Sequence, residues 1–279
     1  MTFRLFSDLH LEFGSFDIPY VPGDEDRVLV LAGDIAVGKR KLTYRTFLED
    51  AVHQFRKVIY IPGNHEYYGG SFPRTWNVTM KEEMAKQLND PDFGLYLHMV
   101  DGETVIDRGV AYVCATMWTD FDRGNPATMQ MAASGMNDYR VIRTGPEDNP
   151  YQSRLSPHVI YAEHQRQRAW LLREVRKHKE AGLKVVVVTH HATSWNSIAE
   201  SFAGSPLNGA YASEFAYDFL ALDDEGLAPD VCVHGHVHHS FKYKIGSTWW
   251  ITNPRGYVTF DTPNGDNGGA FDPKLVVEL

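Results

Sequence analysis

Cysteine is scarce: the 279 residues contain only Cys114 and Cys232. That excludes a disulfide scaffold and a thiolate metal site. Both cysteines sit among apolar residues and suit small core positions, as in a chain kept in a reducing cytosol. No apolar run approaches the ~20 residues a membrane span needs. The opening Met1-Thr2-Phe3-Arg4-Leu5-Phe6 leads straight into a strand-like run without the layout of a signal peptide, so a cytoplasmic location is expected. An excess of positive charge is missing as well. Lys and Arg total 27 against 36 Asp and Glu, a net charge of −9, which removes any overall pull toward nucleic acid or an anionic membrane and leaves only a local basic groove open. There is no internal repeat, low-complexity tract or interdomain linker. Residues 1–279 read as a single domain, long enough for a sizeable core.

What is present is a balance of 43% hydrophobic and 23% charged residues, that of a soluble globular protein. Thr2 to Ser7 reads as a buried strand, Arg27 to Ala32 as a second and Lys57 to Ile61 as a third. Between them, Lys41 to Arg56 has helical spacing, with Leu42, Phe47, Leu48, Ala51, Val52 and Phe55 as the expected buried face. Phe72 to Leu88 is expected to be helical. Strands follow at Leu95–Val100, Glu103–Ile106 and Val110–Thr116. Periodicity then fades, and residues 117–156 read as an insertion or cap over the site. Ser156-Pro157 starts a long helix to about Lys179, with Ser156 as N-cap and Gly182 past its end. Lys184–Thr189 and Val231–His234 are further strands, and Glu214–Leu222 reads as a short helix. A hairpin at 241–252 and a last strand near Leu275–Glu278 complete an alternating α/β pattern.

Five apolar runs each end in metal-ligand chemistry: Asp8-Leu9-His10, Gly33-Asp34, Gly63-Asn64-His65-Glu66, His190-His191 and Gly235-His236-Val237-His238. Residues two apart in extended backbone share a side, so Asp8 can join His10 and His236 can join His238 at one ion. Taken singly these are weak signals. Gly-Asp is a common turn, and a strand-end Asp beside a surface His is as often a cap. As a set they read as strand ends converging on a site for two metal ions. Carboxylate, imidazole and a neutral amide oxygen suit Mn above all, with Fe, Zn, Co or Ni as further options.

In this order and spacing the clusters resemble the motif set of the calcineurin-like metallophosphoesterase superfamily, from Asp8 to His238. The resemblance implies a four-layer α/β/β/α sandwich with two central mixed β-sheets and a dinuclear metal site at the strand ends. It implies that Asp8, His10 and His238 hold one ion, that Asn64, His190 and His236 hold the other, and that Asp34 bridges them. His65 matches the residue that stabilises or protonates the leaving oxygen, with Glu66 orienting its ring. The implied chemistry is phosphoester hydrolysis by a metal-bridged hydroxide.

The protein Ser/Thr phosphatase branch continues its second motif as Gly-Asp-x-x-Asp-Arg-Gly, where this chain reads Gly33-Asp34-Ile35-Ala36-Val37-Gly38-Lys39. That branch also has an Arg two residues after the motif Glu, where this chain has Tyr68. The expected substrate is therefore a small-molecule phosphodiester or phosphomonoester. A nuclease of the same superfamily is the alternative, disfavoured by the acidic net charge, and a non-catalytic scaffold is a more remote one. Arg140, Arg143 and Tyr67 are the candidates for substrate contact, with Arg154 and Arg255 behind them. Tyr68, Trp118 and Tyr139 either stack a base or pack the insertion. His191 reads as a supporting or loop residue, His234 and His239 as structural, and His164 and His178 as solvent-facing.

Overall fold

The computed structural model describes residues 1–87, 93–267 and 270–279; Leu88, the expected end of the second helix, and Gly268-Gly269 of the tail lie outside them. In chain order the strands are β1 (Thr2–Phe6), β2 (Val28–Ala32), β3 (Lys57–Ile61), β4 (Ser71–Phe72), β5 (Leu97–Met99), β6 (Glu103–Asp107) and β7 (Val110–Ala115). They continue with β8 (Arg143–Thr144), β9 (Ser153–Arg154), β10 (Lys184–Thr189), β11 (Val231–His234), β12 (Lys242–Ile245), β13 (Thr248–Thr252) and β14 (Val276–Glu278). One sheet has the order β14-β1-β2-β3-β5, a second the order β12-β13-β11-β10-β7-β6. Both are mixed. β1, β2, β3 and β5 are parallel with β14 antiparallel, while β7, β10, β11 and β13 are parallel and flanked by antiparallel β6 and β12.

The period of two along the buried strands makes the layers. Phe3, Leu5, Val28, Val30, Ile59 and Ile61 turn inward, and they meet Tyr112, Cys114, Val186, Val188, Val231 and Val233 of the other sheet in one core. The intervening residues turn outward. Leu29, Leu31, Val58 and Tyr60 pack under the Lys41–Gln54 helix, while Val113, Val185, Val187 and Cys232 pack under the Pro157–Glu180 and Ala216–Asp223 helices. Helix, sheet, sheet and helix stack as four layers. Cys114 and Cys232 fall on opposite faces of one sheet, both as free thiols.

The long helix begins where the sequence places it, with the Ser156 hydroxyl accepting from the Val159 N–H. Its face differs from the expectation. His164 and His178 are buried, and His164 Nδ1 donates to the Met117 carbonyl at 2.8 Å. A helix packed flat on a sheet turns that stripe inward, and a carbonyl at a strand end gives the imidazole a partner. On the Lys41–Gln54 helix, Phe47, Leu48 and Ala51 are buried as expected, but Leu42 is 77% exposed and Tyr44 takes its place. Between residues 117 and 156 lie short helices, including Pro126–Gly135 and Asp138–Val141, and strands β8 and β9. These strands join β4 in a small third sheet that the sequence pattern did not signal. Among the described residues no helix is long and apolar enough to cross a membrane.

Candidate metal centre

The clusters follow the carboxyl ends of β1, β2, β3, β10 and β11, which parallel pairing brings to one edge of the two sheets. The chain turns sharply there. Asp8, His10, Asp34, His236 and His238 have φ of 51°, 46°, 53°, 70° and 47°, the left-handed region that non-glycine residues rarely adopt. Such conformations cost on the order of 1 kcal/mol each and persist where the surroundings over-determine them. The approach is also close. A Cβ on Gly63 would lie 2.2 Å from Asp34 Oδ1, and one on Gly235 would lie 2.4 Å from Asp8 Oδ2.

Hydrogen bonds behind the rings fix which nitrogens face the centre. His10 Nδ1 donates to Glu12 Oε1 at 3.2 Å and His238 Nδ1 to Asp266 Oδ1 at 2.9 Å. Each Nε2 then presents its lone pair, and the two lie 3.1 Å apart. Two lone pairs at that distance repel unless a cation or a shared proton sits between them. His190 Nδ1 donates to the Ala32 carbonyl at 2.9 Å, which leaves its Nε2 facing Asn64 Oδ1 at 3.2 Å and Asp34 Oδ2 at 3.4 Å. Asn64 is held with its oxygen inward because its amide nitrogen donates to Asp138 Oδ1 at 2.8 Å. Asp8 Oδ2 and His236 Nε2 are buried without any hydrogen-bond partner.

The electrostatics agree. Burial alone would push His190 down, but Asp34 holds its pKa up at about 9. Burial is likewise outweighed at His238, where Asp266 and Asp8 hold the pKa at about 10. At these two rings the carboxylates outweigh burial and favour the protonated form, whereas burial holds His10 and His236 below their ordinary values. Asp8 with His10 and His238, and Asp34 with His190 and His236, each bring ligand atoms within 4.8 Å of one another. His10, Asp34 and His65 form a third such group, so Asp34 stands between the two halves. Inward lone pairs, orphaned buried donor atoms and the carboxylates beside them all fit a pair of metal ions.

Glu66 does not orient His65. Its carboxylate accepts from the backbone N–H groups of Gly63, Asp34, Ile35 and Ala36 and from the Tyr60 hydroxyl. Burial and then Asp34 push its pKa up to about 7, yet every neighbour is a donor, so the ionised form is the one that fits. Glu66 therefore clips the Asp34 loop to the Asn64 loop. The partner of the His65 ring is Glu12, whose Oε1 accepts from His65 Nδ1 at 2.9 Å as well as from His10. Burial would raise the Glu12 pKa, but those two bonds bring it down to about 2. Glu12, Tyr257 and Asp266 were not singled out by the sequence; Glu12 lies two residues past His10 but 53 from His65, and Tyr257 and Asp266 reach the site from the far end of the chain. Asp138 lies in the aperiodic stretch and has no motif of its own.

A cavity of about 560 Å³ opens beside Asp34, Asn64, His236 and His238. His65, expected at the leaving oxygen, is buried and meets the cavity only through Tyr68 and Tyr257, which line it, and three residues expected against substrate do not line it either. Tyr67 is wholly buried against Phe72 and Trp118, at ring distances of 5.2 and 5.9 Å. Arg140 is exposed and donates to the Gly135 carbonyl and Asn137 Oδ1, and Arg143 is exposed on β8. Arg154 is exposed on β9, and Arg255 is buried over the Phe16 ring. The aromatic wall comes instead from Tyr68, Tyr211 and Tyr257. Tyr68 stacks on His65 at 4.0 Å, and Tyr211 lies 5.1 Å from the His236 ring. His191 is buried, its ring 4.0 Å from that of His236. His234 is buried on Ser197 Oγ, and His239 lines the cavity.

A two-sheet sandwich that gathers carboxylate, imidazole and amide groups able to hold metal ions at its strand ends has the arrangement of a metal-dependent hydrolase. The chain belongs to the calcineurin-like phosphoesterase family (Metallophos), which matches residues 1–240. That family works through two metal ions. An uncharacterised protein of Acanthamoeba polyphaga mimivirus is 21% identical over 269 residues, covering 91% of this chain and 90% of its own. A phosphopantetheinyl hydrolase from Mycobacterium tuberculosis has a similar structure, with a TM-score of 0.62 and 18% identity over 92% of this chain and 89% of that one. A dimetal phosphatase from Danio rerio aligns with a TM-score of 0.45 and 15% identity, over 90% and 86% of the two chains.

Proposed function

We propose that this hydrolase cleaves phosphodiesters or small phosphomonoesters and not phosphoproteins. One observation carries the reading: among the described residues no lysine or arginine lines the cavity, so the charge of the substrate phosphate must be met at the cluster itself. Asp8, His10 and His238 would hold one ion, Asn64, His190 and His236 the other, with Asp34 between them. Manganese is the proposed metal, on the donor set. When bound, such ions supply water of lowered pKa and neutralise phosphoryl charge.

The chain's own residues orient and protonate. Glu12 holds His65 Nδ1, so a second proton on the ring sits on Nε2, 3.2 Å from the Tyr257 hydroxyl at the cavity wall. Burial lowers the pKa of His65, but Asp34 and Glu12 together hold it above its ordinary value, which favours the protonated ring. His65 is thus the proposed donor to the leaving oxygen. Residues 117–156 act as a cap, placing Met136, Asn137 and Asp138 on the cavity wall. The test compares kcat/KM for a bis-aryl phosphodiester, an aryl phosphomonoester and a phosphopeptide. The account expects one of the small esters to lead, and a clear preference for the phosphopeptide would overturn it.

A further inference from the structure

Beyond its metal-binding rim the cavity is chemically uneven. Its apolar and aromatic lining comprises Ile198, Ala199, Phe202, Leu207, Met136, Tyr68 and Tyr211. Two of the neutral polar groups are already engaged. The Ser197 hydroxyl is taken by His234 and Tyr243, and the Asn208 amide nitrogen donates to the Phe202 carbonyl. Apart from Asp34 the acidic side chains on the lining are Asp138, which accepts from the Asn64 amide, and Asp266, which accepts from His238 Nδ1 and the Tyr257 N–H. No lysine or arginine lines the cavity among the described residues, and the basic side chain there besides His236 and His238 is His239.

A phosphoester seated with its phosphorus at the rim extends its other arm along this surface. An apolar or neutral arm meets rings and methyl groups. A second phosphate in that arm would give up its hydration and meet no fixed cation. Resting on the function proposed above, we infer that the cavity selects substrates with one phosphorus and an uncharged arm, and rejects those whose arm carries a further phosphate, such as nucleoside diphosphates or a nucleic-acid strand. Rejection comes from the missing cation that a buried second phosphate would need, selection from the apolar lining.

The test uses two diesters with the same scissile bond and the same p-nitrophenolate leaving group. One is p-nitrophenyl hexyl phosphate; the other carries a terminal phosphate on the hexyl chain. With enzyme reconstituted in manganese, kcat/KM is expected to be at least about tenfold higher for the neutral arm, since desolvating a phosphate without a cationic partner costs that much or more. Phe202 is 55% exposed, so Phe202→Arg is compatible with folding, which thermal melting checks. That variant is expected to raise kcat/KM for the phosphate-ended ester at least about threefold and to narrow the ratio. Equal rates, a preference for the phosphate-ended ester, or a ratio unmoved by Phe202→Arg in a folded protein overturns this inference and leaves the phosphoesterase reading standing. Hydrolysis of neither ester overturns both.

Discussion

His10 and His238 cannot both aim lone pairs at one point without a metal ion or a shared proton between them, and what turns their Nε2 atoms there is a pair of carboxylates behind the rings, Glu12 and Asp266. Glu12 serves His65 as well, so its loss should tell on two functions. In metal-free protein its folded pKa of about 2 lies below its ordinary value of 4.5. A depressed carboxylate contributes stability above the unfolded pKa, and that stability fades as pH falls from about 4.5 to about 2. Glu12→Gln should therefore lower stability by on the order of 2 kcal/mol at neutral pH and converge on wild type near pH 2, as denaturant melts across pH would show. A constant gap down to pH 2 would mean that the carboxylate charge is not what counts. Asp34→Asn should weaken both metal sites; full occupancy by elemental analysis would rule out its bridging role. For His65→Ala the expectation is two retained ions and a defect that grows with leaving-group pKa, from small with p-nitrophenolate to ~10²–10⁴-fold with an alkyl alcohol. Equal defects across a graded ester series would place His65 on the metal or the phosphate instead. At this scale the proposed ligands were legible because each follows an apolar run. Asp266 and Tyr257 were not, since only the folded chain brings them near, and Glu12, two residues past His10, follows no apolar run and sits in a loop.

The strands deliver these residues through their alternation, and that alternation was written in the sequence. Val28-Leu29-Val30-Leu31 and Val185-Val186-Val187-Val188 are apolar on both faces because each sheet is covered on both sides. The helix start at Ser156-Pro157 was legible from cap chemistry. The third sheet was not: two-residue strands such as Ser71–Phe72 and Arg143–Thr144 are too short to show a period. Nor was the inward turn of His164, whose partner is a backbone carbonyl. Two predictions belong here. Ser156→Ala removes the cap from a 24-residue helix and should cost about 1 kcal/mol in urea melts without changing metal content. Gly63→Ala forces a methyl group against Asp34 Oδ1 and the backbone of its loop. It should lose metal affinity out of proportion to any loss of stability, and unchanged metal binding would show that the close approach is dispensable.

Across the whole molecule, two sheets share a core and turn the ends of their parallel strands to one edge, so ligands from sequence positions 8 to 238 meet in one place. The negative net charge fits a cavity whose cationic content is expected from bound metal and not from lysine or arginine. The central claim is that hydrolysis depends on two ions held by these residues. The most direct measurement strips the protein with a chelator and adds manganese back in steps. Bound metal per chain and hydrolysis of bis(p-nitrophenyl) phosphate are followed in the same samples. The account predicts no turnover in the stripped protein and a rate that saturates as occupancy reaches about two ions per chain, the number set by a two-metal site. Turnover that survives stripping, or a rate already full at one bound ion, would contradict it.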